Sequence, residues 1–296
     1  MRTRFVAEVS SNHARSLDRS FAFVDTAAAI GCTAVKFQQF RITELFSPEA
    51  LRANPKLRER IAWELPEEFN RELAARAHDR GIEFSSTPFY RDAVALLEPL
   101  VDFYKVASYQ LLWDELLEEV GRTEKPVVLA TGMATLEETE RAVEVLRRSG
   151  CHDLTLLHCV SLYPTRAREA NLRAIETLRG RFGGSVGWSD HSVDPQVVRR
   201  AVRRFGATMV EFHLDLEGAG EEYAAGHCWL PEEMQGVIEG LEAGAPEPPD
   251  ALCDGDGVKR PAPGEAYERR WRTDPSDGLR PLLEMRRALE SEEQAA

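Results

Sequence analysis

The feature that most constrains this chain is an alternation. Eight times, a short apolar run of strand character is followed by a longer amphipathic run of helical period. Strands are predicted over 5–10, 34–40, 82–87, 103–107, 127–131, 155–161, 185–191 and 208–215. Helices are predicted between them, clearest over 17–30, 66–80, 136–149 and 195–204. Thr135 stands before Leu136 with Glu138 three residues on, the pattern of a capping box. Gly31, Gly81, Gly150 and Gly206 fall just past helix ends, where a left-handed residue stops the helix. Eight such repeats within the first ~240 residues predict an α/β fold, a (β/α)8 TIM barrel, with a doubly wound open sheet as runner-up. The barrel is expected over 1–243 and a short, linker-like C-terminal extension over 244–296. The final stretch "SEEQAA" is expected to fray.

With 43% hydrophobic residues the chain can bury a real core. A formal charge of −13 argues against a nucleic-acid partner, since phosphates would be repelled. A small anion held by a few buried cations stays compatible with it. The five cysteines show no paired spacing and fit reduced thiols. The N-terminus enters a strand pattern at once, and no apolar run approaches the ~18 residues of a membrane span. A cytoplasmic location is therefore expected.

Parity along the strands sorts side chains between helix layer and barrel interior. In "AVKFQQF" Lys36 and Gln38 point inward, in "FVAEVSS" Glu8 and Ser10, in "SVGWSDH" Ser189 and His191, and in "MVEFHLDL" Glu211, His213 and Asp215. Thr87 and Thr131 are read as closing their strands with the same inward sense. These polar groups gather late in each strand, at the end where barrels of this kind carry chemistry.

His191 and His213 end neighbouring strands and can share a divalent cation, with Asp215 or Glu211 as ligands or as orienting groups. The alternative is that one hydrogen-bonds a loop and the other caps a neighbouring strand. Lys36 and Lys105 need anions if they are buried: a substrate phosphate or carboxylate, or Glu8 and Glu211 themselves. A Schiff-base role is a third option. His13 can touch substrate or cap the first helix. His78 and His152 read as solvated, and His158 as packing.

Together the stretches "AEVSSNH" (7–13), "AVKFQ" (34–38), "FSSTPF" (84–89), "YKVAS" (104–108), "KPVVLATGMATLEE" (125–138), "LLHCVSLYPT" (156–165), "GWSDHS" (187–192) and "VEFH" (210–213) resemble the sialic acid synthase family. That family condenses phosphoenolpyruvate with an N-acetylmannosamine-type aldose on a metal-binding barrel. The resemblance implies a divalent metal, manganese above all, on His191 and His213, with Glu8 and His191 as catalytic groups. It implies phosphoenolpyruvate on Lys36, Gln38, Thr87, Lys105, Ser108, Thr131 and Ser189, and Tyr163 on the sugar side, with Ser161 also in the substrate site. The expected partners are phosphoenolpyruvate and a sugar aldehyde, with a homodimer left open.

Departures cluster on the sugar side. Tyr109 and Gln110 follow Ser108, where relatives have a glycine and an acidic residue. The segment after the eighth strand, "LEGAGEEYAAGHCWLPEEM" (216–234), brings Glu221, Glu222, His227 and Cys228 as new candidates. No counterpart of the family's C-terminal antifreeze-like domain is recognised in the sequence, and Arg270, Arg272 or Arg280 is expected to stand in for the arginine that domain supplies. The expectation is a synthase that keeps its donor and has changed its acceptor. A non-catalytic barrel that binds phosphoenolpyruvate and a metal-dependent aldolase or lyase are the alternatives.

Overall fold

The computed structural model describes residues 2–295 apart from 248 and 250. Eight strands run parallel: β1 (Arg4–Glu8), β2 (Ala34–Gln39), β3 (Glu83–Pro88), β4 (Phe103–Val106), β5 (Val127–Ala130), β6 (Leu154–Cys159), β7 (Ser185–Asp190) and β8 (Met209–Leu214). Each pairs with the next, and β1 pairs with β8 from Arg4↔Met209 to Glu8↔His213. The sheet is thereby closed into a barrel, and the open-sheet alternative falls.

A helix follows each strand: α1 (Leu17–Ala29), α2 (Phe69–Asp79), α3 (Asp92–Leu97), α4 (Asp114–Arg122), α5 (Leu136–Arg148), α6 (Ala174–Phe182), α7 (Pro195–Arg203) and α8 (Pro231–Glu242). Local chemistry sets their ends. Thr135 accepts from the Glu138 backbone while the Glu138 side chain accepts from Thr135 N, so both partners of the capping box are made. Asp194 caps α7 just ahead of Pro195. Gly31, Gly81, Gly150 and Gly206 all have positive φ, at 89°, 74°, 118° and 64°.

The outward strand residues pack on the helices as the main core, including Val35, Phe37, Phe84, Trp188 and Phe212. The inward residues form a second apolar layer of Val6, Ala34, Phe103, Val128, Ala130, Leu157, Cys159 and Met209. That layer plugs the barrel, and polar residues lie above it toward the C-terminal strand ends. Gly187 sits inside this plug because a side chain has no room: a Cβ would lie 2.3 Å from Met209 O and 2.7 Å from Leu157 Cδ2.

The described residues of 244–296 are held against the barrel. Leu172 N and Arg173 N donate to Cys253 O and Asp254 O, both at 2.9 Å, and Arg200 of α7 pairs with Asp254. The Glu265 carboxylate accepts from Met133 N at 2.9 Å and Ser161 N at 2.6 Å, tying the loops after β5 and β6. Arg280 pairs with Phe46 as a lone bridge, and a last helix (Leu283–Ala295) packs on the short helix Pro48–Ala53. Most of "SEEQAA" thus continues that helix, and Ala296 lies outside the described residues. No helix among the described residues is long and apolar enough to cross a membrane.

Because the obstruction at Gly187 is backbone, it cannot rotate away. Gly187→Ala is expected to cost about 2–3 kcal/mol of stability in urea unfolding. An unchanged midpoint would show that the plug is not tightly packed there.

Candidate active site

A cavity of about 370 Å³ opens at the C-terminal strand ends, within the range of small-molecule sites. Its deep part is polar and charged. Glu8, Lys36, Lys105 and Glu211 come from β1, β2, β4 and β8, and each is no more than 5% exposed. Lys36 forms an ion pair with Glu8, and its Nζ lies 3.9 Å from Glu211. Lys105 Nζ lies 3.2 Å from Glu211. Two cations and two carboxylates therefore balance, as burial at this depth requires. Burial opposes the Glu211 charge, yet Lys105 and Lys36 hold its carboxyl below the ordinary range. Burial brings the Lys36 ammonium down to about 7 against the attraction of Glu211.

Glu8 is oriented from two sides. Its Oε1 accepts from Ser10 N at 2.7 Å and from Gln38 Nε2 at 2.9 Å. Thr87 Oγ1 accepts from Lys36 Nζ at 3.3 Å. Ser108 Oγ accepts from Gly132 N at 2.9 Å, and Ser189 completes this face of the lining.

The imidazoles of His191 and His213 meet across the cavity from β4, their centroids 5.6 Å apart. His191 Nδ1 lies 2.8 Å from Val160 O; a carbonyl can only accept, so Nδ1 carries the proton and Nε2 keeps its lone pair. His213 Nδ1 lies 2.8 Å from Glu222 Oε2, which orients it in the same way. Burial lowers both imidazoles below their ordinary range, His191 well below, so both are neutral near pH 7. Tyr163 stacks on His191 at 4.2 Å between centroids.

The loop after β8 reaches this end of the cavity. A two-residue strand β9 (Cys228–Trp229) pairs with β8, His213 opposite Cys228. His227 Nε2 lies 3.5 Å from Glu222 Oε2, and its Nδ1 is buried without a hydrogen-bond partner. His213, Glu222, His227 and Cys228 offer ligand atoms all within 4.8 Å of one another. Although burial opposes its charge, His213 and His227 hold the Glu222 carboxyl well below its ordinary range. The lowered His213 imidazole beside an ionised Glu222, with one buried nitrogen of His227 unused, forms a donor set that fits a divalent cation.

Two residues expected in the site do not line it. β5 ends at Ala130, whose side chain faces inward, so Thr131 turns away and its hydroxyl donates to Leu157 O at 3.0 Å. Ser161 follows the end of β6, its hydroxyl packed toward Gly132 behind Ser108. Glu221 is exposed and absent from the lining. Asp215 is spent on backbone N–H groups of its own loop, at 2.9 Å from Glu217 N and 2.7 Å from Gly218 N. His13 accepts from Arg15 N at 3.0 Å, and burial lowers it to about 4. His158 packs on Trp188 at 5.4 Å.

Of the three tail arginines, Arg270 is exposed, Arg272 lies 3.1 Å from Glu138, and Arg280 lines the cavity. Burial lowers Arg280 to about 10. Two contributors escaped the sequence reading. Arg60 lines the outer cavity from a 3-10 helix (Pro55–Trp63) in the long connection after β2. Asp190 accepts from Trp188 Nε1 and Trp229 Nε1, both at 2.9 Å, locking β9 beside the strand that carries His191.

The sequence profile of the NeuB family matches residues 23–245. A Methanocaldococcus jannaschii protein named only as uncharacterized is 36% identical over 81% of this chain and 70% of its own length. N,N'-diacetyllegionaminic acid synthase of Campylobacter jejuni is 32% identical over 79% of this chain and 74% of its own. The crystal structure of N-acetylneuraminic acid synthetase from Leptospira borgpetersenii superposes with a TM-score of 0.76 at 27% identity, covering 90% of both chains. The profile spans β2 through α8, the elements that carry Lys36, Lys105, His191, Glu211 and His213, and the chain belongs to the NeuB family.

Proposed function

We propose that the protein condenses phosphoenolpyruvate with a sugar aldehyde to a 3-deoxy-2-keto sugar acid, releasing phosphate. The observation that carries this reading is the shared cavity. Lys36 and Lys105 lie with Glu8 and Glu211 on one side of it, and the neutral imidazoles of His191 and His213 lie on the other. The legionaminic acid synthase and sialic acid synthetase among its relatives support the same reading.

The lysines, with Gln38, Thr87, Ser108 and Ser189, would hold the phosphate and carboxylate of the donor. A divalent cation on His191 and His213, with Glu222, His227 and Cys228 at hand, would act as a Lewis acid on the aldehyde oxygen or activate a water; manganese is the ion expected. C3 of the donor attacks the aldehyde carbon, and positive charge develops at C2. Water adds at C2, and the tetrahedral adduct expels phosphate by C–O cleavage. Glu8, held by Ser10 N and Gln38, would stabilise the cationic centre or take the proton of the water. Tyr163, stacked on His191, would face the sugar.

Phosphate release from phosphoenolpyruvate, screened with manganese and a library of C4–C6 aldoses and their N-acetyl forms, tests the reaction. Turnover with at least one aldehyde is expected. Binding of the donor without release would favour a non-catalytic barrel, and carbon–carbon cleavage indifferent to the donor would favour an aldolase. Glu8→Gln should lower kcat by about 10²–10⁴-fold with a smaller effect on donor KM, measured at saturating metal. Raising the pH from about 6 to about 8.5 removes the Lys36 proton and should weaken donor binding roughly tenfold in calorimetry. Affinity independent of pH over that range would contradict the assignment of Lys36.

A further inference from the structure

The loop after β8 is one of the chain's departures from the family pattern, and it brings Glu222, His227 and Cys228 to His213. The four offer ligand atoms all within 4.8 Å of one another. With bonds of about 2.0–2.3 Å to nitrogen and sulfur, two ligands of one ion stand about 3.3–4.6 Å apart. His227 is 8% exposed and commits neither nitrogen to a close hydrogen bond. Its Nδ1 is buried without a partner, and its Nε2 stands 3.5 Å from Glu222 Oε2. The contacts of the Cys228 sulfur are long as well, 3.7 Å to Asn12 Nδ2 and 3.9 Å to Glu222 Oε2. These spacings suit neighbouring ligands of one ion better than hydrogen bonds.

The backbone keeps these side chains together. Asp215 closes the turn that opens the loop by accepting from Glu217 N and Gly218 N. Gly220 passes so near that a Cβ would lie 2.3 Å from Asp215 Oδ2. Ser11 Oγ, from the loop after β1, donates to Glu222 Oε1 at 2.8 Å, which leaves Oε2 to the imidazoles. Cys228 is 2% exposed on β9, opposite His213 in register, and Asp190 fixes its neighbour Trp229. The thiol and the His227 imidazole are thus held beside His213 with little to bond, whereas an ion at His213 would use both.

Resting on the metal-assisted reaction proposed above, we propose that the cation at His191 and His213 takes two further protein ligands, His227 and Cys228, and that the thiolate makes it an ion of the zinc class. Glu222 would orient the imidazoles of His213 and His227. Cys228 would bind as the thiolate: the sulfur–metal bond forms as the S–H bond breaks, and the proton passes to solvent. One thiolate and one carboxylate neutralise a dication, as a site this buried requires. Manganese favours carboxylate, carbonyl and water oxygens, whereas thiolate and imidazole favour zinc. Two histidines alone leave most of the shell to water and substrate. Two more protein ligands would hold the ion more tightly and leave fewer positions open to the aldehyde.

The test adds cobalt(II), zinc and manganese separately to the full chain, stripped with a chelator, and to Cys228→Ser and His227→Ala, whose folding is checked by melting before metal is added. Cobalt in the wild type is expected to show the intense near-ultraviolet band of a thiolate ligand, and Cys228→Ser should lack it. Competition with a chromophoric chelator should show zinc bound at least about tenfold more tightly than manganese. Cys228→Ser should weaken zinc at least about tenfold and manganese less than about threefold, and His227→Ala should weaken both at least about tenfold. A wild-type cobalt spectrum without the thiolate band would overturn the ligand set, and that reading needs no variant. A band that survives in Cys228→Ser, or zinc affinities within about twofold of wild type in both variants, would overturn it too. Zinc bound as expected in a chain that releases no phosphate counts against the condensation alone. Turnover without the thiolate band counts against this ligand set alone.

Discussion

The structure turns on one buried arrangement, in which the carboxylates of Glu8 and Glu211 face the ammonium groups of Lys36 and Lys105. These four residues come from β1, β8, β2 and β4, so they meet only because β1 pairs with β8 and closes the barrel. Register places Glu8 beside Lys36 on one flank and beside His213 on the other. Glu8 is thus the joint between the lysine side of the cavity and the imidazole side. An ion network at this depth is a poor way to gain stability, because desolvation consumes most of the Coulomb energy. In the proposed reaction its value would lie in readiness: an incoming donor anion would exchange places with carboxylates already paired with these lysines.

The polar mouth needs a rigid base, and the apolar plug beneath it provides one. Gly187 lets β7 approach β8 closely enough to fill that plug, and Asp190, held by the Trp188 indole of its own strand, fixes the end of β7 against β9 through the Trp229 indole N–H. The same element carries His191 and, through β9, positions the loop of Glu222 and His227. On the far side Glu265 clamps the loops after β5 and β6, so residues after α8 brace the cavity rim, and Arg280 lines it.

Much of this was legible in the chain. Strand parity placed Glu8, Lys36, Gln38, Ser189, Glu211 and His213 inside, because period-two alternation is a local property. The capping box at Thr135 and the glycines ending helices were local too. Thr131 is turned out of the site by the same alternation, since Val128 and Ala130 take the inward positions of β5, and its hydroxyl satisfies the Leu157 carbonyl instead. Ser161 was misplaced for a different reason. Its backbone is held by Glu265, about a hundred residues away in sequence, and no periodicity records such a contact. Arg60 was invisible because a loop arginine among aromatic residues looks solvated until the wall behind it is known. Arg280 was narrowed to three tail candidates, and only its bridge to Phe46 singles it out.

The central claim is that one cavity holds a cation at the imidazoles and a donor anion at the lysines. The most direct measurement is a crystal structure with manganese and phosphoenolpyruvate, in which anomalous scattering locates the metal and the density locates the phosphate. The account predicts the metal peak between His191 and His213 and the donor phosphate beside Lys36 and Lys105. A metal elsewhere, or the donor phosphate away from both lysines, would contradict it.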